Sequence, residues 1–256
     1  MDKDTRLLYG PLSWIWPIMS PPEDYVEEAT LYLDYLRLFA EIPAKTLLDL
    51  GCGGGHNDWT LKNNVEVTGV DISKEMLALA KKLNPECRYL EGDMRKVRLG
   101  ELFDVVLLHD SVNYMLTPED LQAAFQTCHE HLKPGGAMLT VIERIPERFK
   151  QHGVSYKTRT KGDIELTYME HIYDPNLEDT TYESTFIYLI RKDGKLESHV
   201  DRHLCGIFPP SSWMQWMEEA GFRVHQRPFT HSTYLEGQWD PMLIGVKALS
   251  KLTVAE

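Results

Sequence analysis

Apolar positions along this chain change their period twice, and the changes divide it. From Tyr25 to Phe39 the residues Tyr25, Ala29, Tyr32, Leu33, Leu36 and Phe39 recur at helical spacing, which predicts an amphipathic helix. Between residues 46 and 142 short apolar runs alternate with helical stretches. Thr46 to Leu50, Val65 to Val70, Arg88 to Glu91, Phe103 to Leu108 and Ala137 to Ile142 read as strands, while Lys74 to Leu83 and Thr117 to Leu132 read as helices. The Phe103 run is apolar throughout, as a parallel strand covered on both faces must be. This alternation predicts a doubly wound α/β unit, a mostly parallel sheet with right-handed crossovers. After Ile145 the helices stop. Ile164 to Tyr168, Thr180 to Ile190 and Leu196 to Leu204 follow one another as β-type runs, with Asp193-Gly194 as a hairpin turn. They predict an antiparallel layer, residues 151–207, inserted before a helix at Ser211 to Ala220 and two last strands, Phe222 to Pro228 and Met242 to Ala248.

The first strand runs into a glycine turn, Gly51-Cys52-Gly53-Gly54-Gly55, and then into a polar stretch from His56 that can open a helix. Strand, glycine turn and helix place backbone N–H groups and a positive helix end against a ligand. A dinucleotide fingerprint needs glycine where this chain has His56, which counts against a nicotinamide or flavin site. Asp71 closes the second strand 20 residues after Gly51, where a carboxylate can accept from both hydroxyls of a ribose. Asp71 or Ser73 can cap the helix that follows, and with Ser73 as the cap Asp71 can serve the ribose. Asp49, Asp71, Asp93 and His109 all fall at the carboxyl ends of strands, where open α/β sheets bind ligands. His109-Asp110-Ser111-Val112-Asn113-Tyr114 extends that edge as a polar cluster.

Asp49-Leu50-Gly51-Cys52-Gly53-Gly54-Gly55, Asp71, Gly92-Asp93-Met94 and Leu132-Lys133-Pro134-Gly135-Gly136 occur in the order that resembles class I S-adenosylmethionine (SAM) methyltransferases. The resemblance implies a single Rossmann-like domain over residues 1–256, with a seven-stranded sheet whose last strand is antiparallel. It implies SAM as cofactor, held by Tyr25, Asp49, Gly51, Gly53, Asp71, Ile72, Asp93, Met94 and His109, with Asp93 beside the adenine. The inserted layer, with Arg202-His203-Leu204-Cys205-Gly206-Ile207-Phe208 and Ala220-Gly221-Phe222, resembles the small-molecule enzymes that N-methylate amino sugars. In such enzymes the insertion covers the substrate, and a homodimer contact is left open beside that role. Residues 1–42, with an apolar but proline-broken start at Leu12 to Met19, read as an N-terminal lid and helix, or as a segment simply packed on the core.

Methyl transfer from a sulfonium needs orientation and exclusion of water, and a base where the acceptor must lose a proton. His109, Asp110, Tyr114 and His203 are the candidates, with His109, Tyr114 and His203 carried as catalytic. Arg144, Arg148, Lys150, Lys157, Arg159 and Lys161 read as a solvated basic loop or as a clamp for a phosphate or carboxylate. The net charge of −12, with no basic tail, argues against nucleic acid and anionic membranes as partners. No long apolar run follows the charged start, so a cytoplasmic protein is expected. Four scattered cysteines and scattered histidines predict neither disulfides nor a metal. The expected function is methyl transfer to nitrogen or oxygen of a small molecule. A non-catalytic SAM-binding regulator and an aminopropyl transferase are the alternatives.

Overall fold

The computed structural model describes residues 6–249. Seven strands form the main sheet: β1 (Thr46–Leu50), β2 (Glu66–Asp71), β3 (Arg88–Glu91), β4 (Phe103–Leu107), β5 (Leu132–Val141), β10 (Phe222–Phe229) and β11 (Asp240–Lys247). Their order is β10-β11-β5-β4-β1-β2-β3, and β11 alone runs antiparallel to its neighbours. The strand order reverses beside β1, so the crevice for a ligand opens at the carboxyl ends of β1 and β4. That is the doubly wound arrangement the alternation predicted, in the seven-stranded Rossmann-like form the resemblance implied.

The described residues form six α-helices: α1 (Trp16–Met19) and α2 (Val26–Phe39) before the first strand, then α3 (His56–Leu61), α4 (Lys74–Leu83), α5 (Pro118–His131) and α6 (Pro210–Glu219). Two are capped as their sequences require. The Ser73 hydroxyl accepts from the Met76 N–H at 3.0 Å, and Thr117 accepts from the Asp120 N–H at 3.2 Å with Pro118 in the first turn. One apolar core lies between the sheet and α5 and α6, built on Leu121, Phe125, Trp213 and Met217. A second, with Tyr32, Leu33, Leu36, Val67 and Leu107, covers the other face beneath α2.

The inserted layer is a separate four-stranded antiparallel sheet of β6 (Gly153–Lys161), β7 (Ile164–Tyr173), β8 (Thr181–Lys192) and β9 (Lys195–Gly206). Asp193 and Gly194, at φ of 50° and 74°, make the β8–β9 turn, since both central residues of such a hairpin need positive φ. β6 corrects the reading of residues 144–161 as one basic loop. Its alternating charges lie on an edge strand, so they carry no apolar period to betray it. β5 likewise starts at Leu132 instead of Ala137, directly after α5.

The N-terminal segment joins the two sheets. Leu8, Leu12, Ile15, Ile18 and Met19 bury themselves between Met76 of α4 and Leu166, Tyr188 and Ile190 of the inserted layer. Each fully buried side chain of this kind contributes about 1.5–3 kcal/mol, so the segment is held by packing as well as by hydrogen bonds.

Candidate active site

Gly51 makes the close approach at the end of β1. Its φ is 85°, and a Cβ there would lie 2.5 Å from the Ser111 Cβ and 2.8 Å from the Met94 methyl. The Ser111 hydroxyl donates to the Gly51 carbonyl at 2.7 Å, so the β4 edge is tied to the glycine turn. Asp71, 9% exposed, holds the other side of the turn. It accepts from the Gly53 N–H at 2.9 Å and from the Ser73 N–H at 2.8 Å.

Two cavities flank this turn. One, of about 140 Å³, is lined by Gly51, Asp71, Ile72, Asp93, Met94, Arg95, Ser111 and Tyr114. The other, of about 50 Å³, is lined by Trp16, Tyr25, Asp49, Gly51, Gly53, His56, Asn57 and His109. All the residues assigned from sequence to the cofactor therefore border one or both. Asp93 meets Arg95 in a fork, with Nε at 2.9 Å and Nη2 at 2.7 Å, and Arg95 Nη1 reaches Asp120 at 2.8 Å. Burial would raise the Asp93 carboxyl, but the Arg95 contacts outweigh it and hold it below the usual range.

Asp49, which lines the second cavity, lies against Asp58 behind it, and the two are 4% and 0% exposed. Burial first, then the Asp58 charge, pushes Asp49 well above the carboxylate range, and burial pushes Asp58 up to about 6. The Tyr89 hydroxyl donates to Asp58 at 2.8 Å, and Asn84 donates to that hydroxyl and to the Gly55 carbonyl. Four polar atoms around this cavity lack a protein partner among the described residues: Trp16 Nε1, His56 Nδ1, Asn57 Oδ1 and His109 Nδ1. Burial pulls His56 down to about 4, so its ring is neutral at physiological pH.

A third cavity, of about 230 Å³, adjoins both through Tyr9, with Tyr114 shared on one side and Tyr25 and Asp110 on the other. Its further lining includes Glu143, Arg144, Glu170, Tyr182, Phe186 and His203. His203 Nδ1 lies 2.8 Å from the Tyr114 hydroxyl, which lies 2.9 Å from that of Tyr9. Tyr114 is held well above its ordinary pKa, by burial first and Tyr9 second, and keeps its proton at neutral pH. Glu143, at 36% side-chain exposure, is pushed up to about 8 by burial and by Asp110. Glu143, Arg144 and Glu170 also border a groove of about 600 Å³ that carries Arg148 and Lys150.

Asp110 stands where the second and third cavities meet. Its φ and ψ are 57° and −66°, and the Ser111 N–H donates to the His109 carbonyl at 2.6 Å, which makes Asp110 the centre of a strained γ-turn. Such a conformation costs of order 1–3 kcal/mol and marks functional sites more often than scaffolds.

Tyr114 and His203 thus come together, while His109 does not join them. It borders the second cavity with its Nε2 3.1 Å from the Tyr32 hydroxyl of α2. Sequence reasoning did not single out Tyr9, Glu143 or Glu170, while Trp16 lies in the segment it read as a lid whose Trp and Tyr side chains close over the site. Glu143 sits just past β5, so the rule that singled out Asp49, Asp71 and Asp93 could have found it. Tyr9 carries no local signal, because its place depends on how the N-terminal segment crosses both sheets. Among the described residues no group of three or more His, Cys, Asp or Glu side chains could hold a metal ion, and no helix is long and apolar enough to cross a membrane.

Residues 47–136 match the family described as a methyltransferase domain. Over 219 residues the chain is 32% identical to dTDP-3-amino-3,4,6-trideoxy-alpha-D-glucopyranose N,N-dimethyltransferase of Streptomyces venezuelae, an alignment spanning 84% of this chain and 87% of that protein. The crystal structure of Streptomyces venezuelae DesVI superposes with a TM-score of 0.80 at 26% identity, covering 93% of this chain and 96% of the other. SAM-bound CalS10, an amino pentose methyltransferase from Micromonospora echinaspora, shares the fold with a TM-score of 0.74 at 24% identity, over 88% and 92% of the two chains.

Proposed function

This chain belongs to the SAM-dependent methyltransferases that act on small molecules, and from that premise we propose that it methylates the amine of a nucleotide-linked amino sugar. The observation that carries the proposal is the third cavity. It touches both cofactor-side cavities through Tyr9, presents Tyr114, His203, Glu143 and Glu170, and leads into a groove bearing Arg148 and Lys150. Acidic side chains suit an amine, which the protonated Glu143 can meet by a hydrogen bond, and the cations beyond them suit a diphosphate. The matched Streptomyces enzyme, whose name specifies a dTDP-amino sugar, supports the same class of acceptor.

The cofactor-side residues fit SAM. Gly51 leaves a cradle that a Cβ would fill. The four unsatisfied atoms of the second cavity, Trp16 Nε1, His56 Nδ1, Asn57 Oδ1 and His109 Nδ1, supply donors and acceptors for the amino acid end, beside Asp49 and Tyr25. Asp71 with Ile72 takes the ribose and Asp93 with Met94 the adenine. Bound there, SAM supplies a methyl group already activated on a sulfonium. The work left to the chain is orientation, dryness and one proton. A nitrogen that has gained a methyl must shed a proton before it can accept another. Tyr114, protonated in the resting site, takes that proton as it passes its own to His203 Nδ1. His109 is assigned to the cofactor side.

A second copy is proposed to dock on the outer face of the inserted sheet, where Val154, Tyr156, Leu196, Val200 and Leu204 are exposed. Light scattering tests this, and a monomer at high concentration would remove it. No observation favours a regulator without catalysis. The proposed activity is tested with deuteriomethyl SAM and a panel of nucleotide-linked sugars bearing an amine or, at the same carbon, a hydroxyl. Label on the amine alone is expected. Transfer to the hydroxyl compounds in place of the amines would overturn the assignment.

A further inference from the structure

We infer that Asp201 is a positioning residue that latches the N-terminal segment onto His203, so that the Tyr114–His203 proton path is complete only while residues 6–9 are docked. The role presupposes amine methylation as proposed above.

Asp201 and His203 are two apart on β9 and so project from the same face of the inserted sheet. They are 3% and 1% exposed. Asp201 lines none of the four cavities described above, whereas His203 lines the third. The Asp201 carboxylate instead gathers three partners. Oδ1 accepts from the Leu7 N–H at 2.9 Å, Oδ2 accepts from the Leu8 N–H at 2.8 Å, and Oδ2 lies 3.0 Å from His203 Nε2. Two consecutive backbone amides and an imidazole thus share one buried carboxylate. Burial alone would raise that carboxyl, but His203 and the two amides outweigh it and hold it below the usual range, so it stays charged.

The next residue closes the circuit. Tyr9 follows Leu8 directly, and its hydroxyl lies 2.9 Å from that of Tyr114, which is 2.8 Å from His203 Nδ1. Asp201, His203, Tyr114, Tyr9 and the backbone of Leu7 and Leu8 form a closed ring of polar contacts. The Arg6 guanidinium lies over the Tyr114 ring, 3.7 Å from its centre, and the Ser73 hydroxyl donates to the Tyr9 carbonyl at 2.6 Å, next to Asp71. His203 Nε2 lies 3.0 Å from Asp201 Oδ2 outside hydrogen-bond geometry, and the charge at that distance favours the proton on Nε2, which leaves Nδ1 as an acceptor. That is the tautomer Tyr114 needs. Lifting residues 6–9 removes two donors from Asp201 and the Tyr9 hydroxyl from Tyr114 at once. The base is therefore aligned when the segment covers the cavity and disarmed when water can enter.

The test uses the full-length chain, wild type and the variants Asp201→Asn and Asp201→Glu. Ring nitrogen NMR of His203 needs no acceptor and comes first: wild type must show Nε2 protonated, and an Nδ1–H ring would overturn the inference. In Asp201→Asn we expect the Leu7 and Leu8 amides to exchange about tenfold faster or more. The kcat for amine methylation should fall about tenfold, a part of what a general base supplies. The KM for the acceptor and the Kd for SAM should stay within about threefold, and the acid limb of the pH–rate profile should move to lower pH. Asp201→Glu, which keeps the charge, should recover part of the rate and the wild-type profile. Loosened amides with wild-type kcat and pH profile would reduce Asp201 to a structural tie and overturn the inference. A changed profile with fully protected amides would overturn the coupling to the segment. Failure of the acceptor proposal would look different, because wild type itself would then leave amines unmethylated while its His203 tautomer stayed as stated.

Discussion

Replacing Asp58 by Asn should stabilise the protein above neutral pH, although it alters a fully buried polar group. Asp58 is 0% exposed, and burial pushes its carboxyl up to about 6 from 3.8. A folded-state pKa above the unfolded value favours folding fully at a pH below the unfolded pKa. That contribution is lost as the pH rises through about 4 to about 6. A shift of roughly two units corresponds to about 3 kcal/mol at most, and sharing of the titration with Asp49 lowers what a single variant recovers. Asn has the shape of the protonated acid. Its carbonyl can accept from the Tyr89 hydroxyl, which lies 2.8 Å from Asp58 Oδ2, and its amide can donate to Asp49 without needing a proton. The variant should gain about 1–3 kcal/mol over wild type at pH 8 and little or nothing at pH 4.5. For a chain of this length that is roughly 2–10 °C in Tm at pH 8. Urea unfolding of both proteins from pH 4.5 to 8.5 measures it. Parallel pH curves for the two would refute the reasoning, because the pH dependence would then arise from other groups. A variant less stable than wild type at pH 8 would refute it as well.

Asp71→Ala should weaken SAM binding by about 2–4 kcal/mol, on the order of 30- to 1,000-fold in Kd, through lost charge-assisted bonds to the ribose. It should also lower Tm without ligand, because the carboxylate holds the Gly53 and Ser73 amides, and calorimetric titration with thermal melts checks both. Gly51→Ala should abolish measurable SAM binding while the sheet still forms, since the new methyl would lie 2.5 Å from the Ser111 Cβ at a φ of 85°. Circular dichroism with titration separates that result from global unfolding. Tyr114→Phe should leave SAM affinity within about threefold and reduce kcat about tenfold or more, by removing the hydroxyl 2.8 Å from His203 Nδ1.

Much of the fold could be read from period alone. Thr46–Leu50, Lys74–Leu83 and Arg88–Glu91 have the bounds their apolar runs and caps predict, because each is a short element with a clear stop. β6 was not legible, since Lys157 and Arg159 on its inward face pair with Asp24 of the N-terminal segment instead of packing on apolar neighbours. The rule that ligands gather at strand carboxyl ends brought Asp49, Asp71, Asp93 and His109 to one crevice from their positions alone. It could not foresee that Asp71 also binds the glycine turn, nor that Asp93 is already forked by Arg95, because such contacts depend on side-chain reach across loops. The circuit of Tyr9, Tyr114, His203 and Asp201 joins residues nearly two hundred positions apart, and no local pattern announces it. Among its members, Tyr114 and His203 came into view through the strand edge and the insertion.

The central claim is that the Tyr9, Tyr114 and His203 cavity receives an amine while the Gly51 turn holds SAM. A crystal structure of the full chain with S-adenosylhomocysteine and a nucleotide-linked amino sugar tests it most directly. Expected are the ribose hydroxyls on Asp71, the acceptor nitrogen within hydrogen-bond reach of the Tyr114 hydroxyl, and the diphosphate toward Arg148 and Lys150. A ribose bound away from Asp71, or an acceptor nitrogen seated outside the cavity of Tyr114 and His203, would contradict it.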